Sequence, residues 1–185
     1  MHHCALEWIE EHTAQFLRHV EQSLMVDEKA RRPVRHHITI AAVQRLATEL
    51  TREAPPRRFR VEPVESMSLD TDSMDVVISS AVLHFARDAS HWMAMVHEMW
   101  RVLAPGGLLF ARLATTVGQP YLRPLGNGRY VMPDGTTRFL VDHERLLNVT
   151  RELGGSLLDP LKSTVVHEQR SMGTWVVRKG ERRGS

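Results

Sequence analysis

With 185 residues and 42% hydrophobic content the chain can bury one core without a covalent staple, and its single cysteine, Cys4, excludes an internal disulfide framework. Twenty-four bases stand against 22 acids, a formal charge of +2, and so even a balance argues against a nucleic-acid partner. No apolar run is long enough for a membrane span or a secretory segment, so a reducing, soluble, cytoplasmic setting without membrane contact is expected.

Residues 5–24 carry Leu6, Ile9, Phe16, Leu17, Val20 and Leu24 at three-to-four spacing, the pattern of an amphipathic helix. His2, His3, Cys4 and His12 are of ligand type, yet a chain terminus cannot hold a fixed tetrahedron and no matching pair completes one, so no metal site is expected. A charged loop with Pro33 follows. Ile38 and Ile40 then suggest a short strand, and residues 41–50 a helix with Ala42, Leu46 and Leu50 on one face. Pro55-Pro56 breaks it, and Phe59 and Val61 give a second short strand running into Glu62-Pro63-Val64-Glu65.

After an acidic linker at 70–73 comes MDVVISSAVLHF, residues 74–85, around which the chain is organised. Val76, Val77 and Ile78 form the continuous apolar run of a strand buried on both faces, and it stops at the polar pair Ser79-Ser80. Ligands of open α/β sheets settle beyond the carboxyl ends of strands, so Ser79, Ser80 and His84 are the first candidate site residues. Asp88 and Ser90 are cap candidates for a helix whose inner stripe is Trp92, Val96, Met99, Trp100 and Leu103. Pro105-Gly106-Gly107 stops that helix, and 108–113 is the next strand, expected to pair with the first in parallel. Gly126-Asn127-Gly128 is a tight turn, residues 129–141 a hairpin tipped by Asp134-Gly135, and Asp142 the cap of a further helix ending at Gly154-Gly155. Short strands at 157–158 and 174–177 close an α/β, doubly wound, Rossmann-like sheet, mostly parallel with an antiparallel edge strand.

MDVVISSAVLHF, a helix, and RVLAPGGLLFARL in that order resemble the second half of the class I S-adenosylmethionine-dependent methyltransferases, and the similarity runs on through PLGNGRY, LGGSLLDPLKSTVV and MGTWVVRK. It covers about residues 41–179 and implies a methyltransferase that takes S-adenosylmethionine as cofactor and a small-molecule methyl acceptor. In this family Val64 and Glu65 fall where the adenine is contacted, Ser79 and Ser80 face the cofactor's methionine portion, and His84, a candidate catalytic residue, lies at the substrate mouth.

The family's glycine-rich cofactor loop, however, has no counterpart, because the first glycine is Gly106. Where an acid would meet the ribose hydroxyls the chain reads Arg35-His36-His37-Ile38-Thr39. The expectation is therefore a helical segment and linker at 1–35, a methyltransferase-like domain at 36–180 and a disordered tail at 181–185, the sheet incomplete at its amino-terminal side. Cofactor binding should be weak or absent, through a truncated or degenerate amino-terminal part, and strand edges left unpaired would favour self-association. A non-catalytic binding protein on the same scaffold is the alternative. A nucleic-acid module ranks last, since Arg57-Arg58-Phe59-Arg60 is the only run that mixes bases with an aromatic residue.

Overall fold

The computed structural model describes residues 62–181. They lie in the compact unit that begins at Glu62. The expected helices at 5–24 and 41–50, the strands at 38–40 and 59–61, the His2/His3/Cys4/His12 group, the Arg57–Arg60 run, the boundary at 35/36 and the tail beyond 181 fall outside the described residues.

Strand β1, Met74–Ser80, pairs in parallel with β2, Leu103–Ala114, from Val76 opposite Leu108 to Ser80 opposite Arg112. Helix α1, Ala89–Val102, connects them. Of its two cap candidates Asp88 takes the position, accepting from the His91 N–H at 2.8 Å, while the Ser90 hydroxyl donates to the same carboxylate oxygen at 2.7 Å. Trp92, Val96, Met99 and Trp100 are buried, as the stripe requires. The helix ends at Val102, ahead of Pro105. Its last carbonyls find tertiary partners: Asp72 N and Ser73 N each donate at 2.9 Å to the carbonyls of Arg101 and Val102.

Pro105-Gly106-Gly107 is built into the start of β2. Gly106 has φ +79°, and a Cβ on Gly107 would lie 2.8 Å from the carbonyl oxygens of both Asp75 and Ala104, so only glycine lets the two strands approach here. The register skips at this point, Met74 facing Leu103 and Val76 facing Leu108.

Three short strands form a separate antiparallel sheet: β3, Arg123–Gly126, β4, Arg129–Val131, and β5, Thr137–Phe139. The hairpin read at 129–141 is β4 and β5. Asp142 caps α2, His143–Glu152, accepting from the Arg145 N–H at 2.7 Å. The remaining strands are β6, Gly155–Leu157, β7, Lys162–Val166, and β8, Arg170–Lys179. The main sheet runs β1-β2-β8-β6, with β7 also on β8. It is parallel at β1–β2, and β8 pairs antiparallel with β2, β6 and β7.

Two local expectations are corrected. The terminal strand is longer than 174–177, and β7, whose residues are mostly exposed, lies beside it as a further strand. Nor is β1 buried on both faces. Val77 packs on the core and Ser79 is buried, whereas Val76 is 42% and Ile78 50% exposed. Alternation puts Val76 and Ile78 on the face opposite the one that α1 and α2 cover. Among the described residues β1 has one strand neighbour, β2.

The core joins α1, α2, β2 and β8. Trp92 stacks between Phe139 and Trp175, with ring centroids 6.0 and 6.4 Å apart, and all three rings are fully buried. The Trp175 indole donates to Thr150 Oγ1 at 2.9 Å, and that hydroxyl donates to the Leu146 carbonyl at 2.7 Å, so this indole N–H is satisfied within the core.

Candidate functional site

At the carboxyl end of β1 the chain turns sharply. Ala81, with φ +59°, takes the left-handed conformation that costs a residue with a Cβ about 1–2 kcal/mol, and its N–H still donates to the Arg112 carbonyl at 2.8 Å. This turn swings the chain into a one-turn 3-10 helix, Leu83–Phe85, pinned by the fully buried Leu83. His84 is thereby held over the strand end, 7% exposed, with its ring 4.6 Å from that of Phe85.

Among the described residues three buried polar atoms in this stretch, Ser79 Oγ, Ser80 Oγ and His84 Nδ1, have no hydrogen-bond partner. Leaving such a group unsatisfied costs about 1–3 kcal/mol, a cost a bound polar ligand removes. Ser79 and Ser80 end β1, and His84 lies in the 3-10 helix that follows. The other two candidates lie elsewhere in the fold. Val64 packs against the core. Glu65 faces the start of α1, its Oε1 3.0 Å from His91 Nε2 and 3.7 Å from Arg87. His91 Nδ1 accepts from the Arg87 N–H at 3.0 Å, so the neutral ring carries its proton on Nε2, toward Glu65. The backbone N–H of Glu65, and after it the His91 ring, hold its carboxyl below the usual carboxylate range. The loop beyond it is tied down by Arg101, which pairs with Glu98 and donates to the Leu69 carbonyl at 2.8 Å and to Thr71 Oγ1 at 3.0 Å.

Beside His84 lies a cavity of about 350 Å³, walled by the β4–β5 hairpin through Met132, Asp134 and Arg138 and by the start of β8 through Arg170 and Met172. Arg138 lies 4.8 Å over the Phe85 ring, which brings its guanidinium to the His84 side. Burial, and then the charges of Arg138 and Arg170, push the His84 imidazole down to about 4, so it is neutral at pH 7. None of these hairpin and β8 residues was legible as a site residue. Their positions in the sequence mark only a turn and a strand, and the sole available signal was Arg138 on a short strand next to a Pro-Asp-Gly tip. Among the described residues no group of three His, Cys, Asp or Glu side chains is placed to hold a metal.

A methyltransferase-domain family profile matches residues 22–111. It starts ahead of residue 41, where the resemblance was expected to begin, and it ends within β2. An S-adenosylmethionine-dependent methyltransferase from Methanosarcina mazei superposes with a TM-score of 0.58 at 18% identity, over 75% of this chain and 77% of its own. The fold is that of a class I S-adenosylmethionine-dependent methyltransferase. A Burkholderia thailandensis 1,6-didemethyltoxoflavin-N1-methyltransferase, solved with that acceptor and S-adenosylhomocysteine, gives a TM-score of 0.56 at 15% identity over 76% of this chain and 57% of its own. The cyclase SpnF gives 0.56 at 17% identity, over 77% of this chain and 62% of its own, so the methyltransferase fold does not dictate the reaction. No curated protein matches the chain by sequence. No described helix is long and apolar enough to cross a membrane.

Proposed function

We propose that the protein transfers a methyl group from S-adenosylmethionine to a small-molecule acceptor, in a cytoplasmic setting, and that it holds the cofactor weakly. The observation that carries this reading is the methyltransferase-like β1–α1–β2 fold, with Ser79 and Ser80 at the carboxyl end of β1 and a cavity of about 350 Å³ beside His84. When bound, the cofactor supplies an electrophilic methyl group on a sulfonium. Ser79 and Ser80 hydrogen-bond polar groups at its methionine end, Val64 and Glu65 lie toward its adenine, and His84 orients the acceptor from the other side. A neutral imidazole of low basicity serves as a hydrogen-bond partner more than as a strong base, which suits a reaction limited by alignment.

Weak cofactor binding follows from the absence of glycine before Gly106, which removes several backbone hydrogen bonds to the ligand, each worth about 0.5–1.5 kcal/mol. A loss of roughly tenfold to a thousandfold in affinity results. The same absence favours a second reading, a non-catalytic binding protein on this scaffold. Calorimetric titration with S-adenosylmethionine and S-adenosylhomocysteine, paired with a radiolabelled methyl-transfer assay against small-molecule extracts, separates the two. Weak binding with turnover is expected. Low-micromolar binding would refute the weakness, and ligand binding without transfer to any acceptor would support the second reading.

A further inference from the structure

The cavity beside His84 has a chemical character that the fold does not dictate. Among the described residues two guanidinium groups, Arg138 and Arg170, line it against a single carboxylate, Asp134. That carboxylate is partly occupied, Asp134 Oδ1 accepting from Thr136 N at 2.9 Å and from Thr136 Oγ1 at 2.6 Å. Arg138 is held by its own neighbours, donating to the Thr137 carbonyl at 2.9 Å and lying 4.8 Å over Phe85. Arg170 stands at the first position of β8, set by the tight turn in which Gln169 N donates to the Val166 carbonyl at 3.0 Å. At the back His84 is more than nine-tenths buried and leaves Nδ1 without a partner. Met132, Ala114 and Met172 make the rest of the wall adaptable and apolar.

We infer that this cavity takes a small molecule with one anionic group, a carboxylate or a phosphate, bound at Arg138 and Arg170, with its apolar body against Met132 and Met172 and one edge beside the His84 ring. Guanidinium groups match planar and tetrahedral oxyanions with paired donors, and a single excess positive charge selects a monoanion over a neutral isostere. Calling the bound anion the methyl acceptor rests on the methyl-transfer reading. Its binding does not.

The experiment uses the full chain, histidine-labelled for NMR, with the His84 ring resonances assigned by their loss in His84→Gln, and probes it with sodium benzoate, benzamide and inorganic phosphate in the absence of cofactor. Benzoate is expected to shift the His84 resonances with saturation, and benzamide to bind at least about tenfold more weakly. Arg170→Gln should weaken benzoate about tenfold, and Arg170→Lys should restore most of that loss, while benzamide responds to neither. Phosphate binding tighter than benzoate, with the same arginine dependence, supports the site and assigns a phosphate-bearing ligand; weaker phosphate binding supports it and assigns a carboxylate. Equal binding of benzoate and benzamide, or no perturbation of His84 by either anion, overturns the inference, and that comparison needs no variant to fold. Cofactor titration on the same sample is read separately, so failure of the anion site leaves the methyl-transfer reading standing, and the reverse.

Discussion

Lys179 Nζ lies 2.9 Å from Asp72 Oδ1 and joins the end of β8 to the turn before β1. The same ammonium donates to the carbonyls of Trp100 at 2.8 Å and Leu103 at 2.6 Å, so one side chain closes the carboxyl end of α1 and neutralises a partner acid. Lys179 and Asp72 are both largely buried, with side chains 17% and 21% exposed. Lys179→Met keeps the aliphatic stem and deletes the charge, removing the ammonium from one carboxylate and two carbonyls. A destabilisation of about 1–3 kcal/mol is expected in urea unfolding, and a change within about 0.5 kcal/mol would show that solvent replaces the ammonium.

Ser79 separates function from stability. Its hydroxyl has no partner among the described residues, so Ser79→Ala removes no hydrogen bond seen there and should leave the unfolding free energy within about 0.5 kcal/mol of the parent. Affinity for S-adenosylhomocysteine should fall about three- to tenfold. Unchanged affinity in calorimetry would remove Ser79 from the site.

His84 gives a pH signature. Its folded-state pKa is lowered from 6.5 to about 4, chiefly by burial and then by Arg138 and Arg170. Between those values the unfolded chain binds the extra proton and the folded chain does not, so stability rises with pH across this window. The loss begins as pH falls below about 6.5 and is complete below about 4, amounting to roughly 3 kcal/mol. His84→Gln should flatten that part of the profile, read as the difference between the two proteins in unfolding experiments from pH 4 to pH 8. Parallel profiles would mean that His84 titrates normally.

Gly107 tests the strand approach. A methyl group there meets the carbonyl oxygens of Asp75 and Ala104 at 2.8 Å, both fixed in backbone. Gly107→Ala should cost about 1–3 kcal/mol by pushing β1 from β2, and should weaken ligand binding at Ser79 and Ser80 as well. A melt unchanged from the parent would show that the skipped register at this point absorbs the methyl group.

The Trp175–Thr150 pair offers a core test of another kind. Thr150→Val preserves volume and removes the acceptor of a fully buried indole N–H. A loss of about 1–3 kcal/mol is expected in thermal or urea unfolding, and Thr150→Ser should recover part of it.

Periodicity alone determined α1, α2, the β1–α1–β2 order and the β4–β5 hairpin, because each is specified by contacts near in sequence: the Asp88 and Asp142 caps, the Trp92–Trp100 stripe and the glycine turns. Local pattern also marked the end of β1, since a strand that ends in small polar residues, here Ser79 and Ser80, announces its carboxyl edge. Only the tertiary structure decided the rest. An unbroken Val-Val-Ile run does not say which of its faces is covered, and packing put Val76 and Ile78 on the exposed one. β7 takes its place in a ladder with β8. Arg138 and Arg170 come from elements that hold no shared motif, and they face His84 because the hairpin and the start of β8 meet there in space. Side chains brought together across long separations in the chain leave no mark on its periodicity, which reports only the face each element turns to the core.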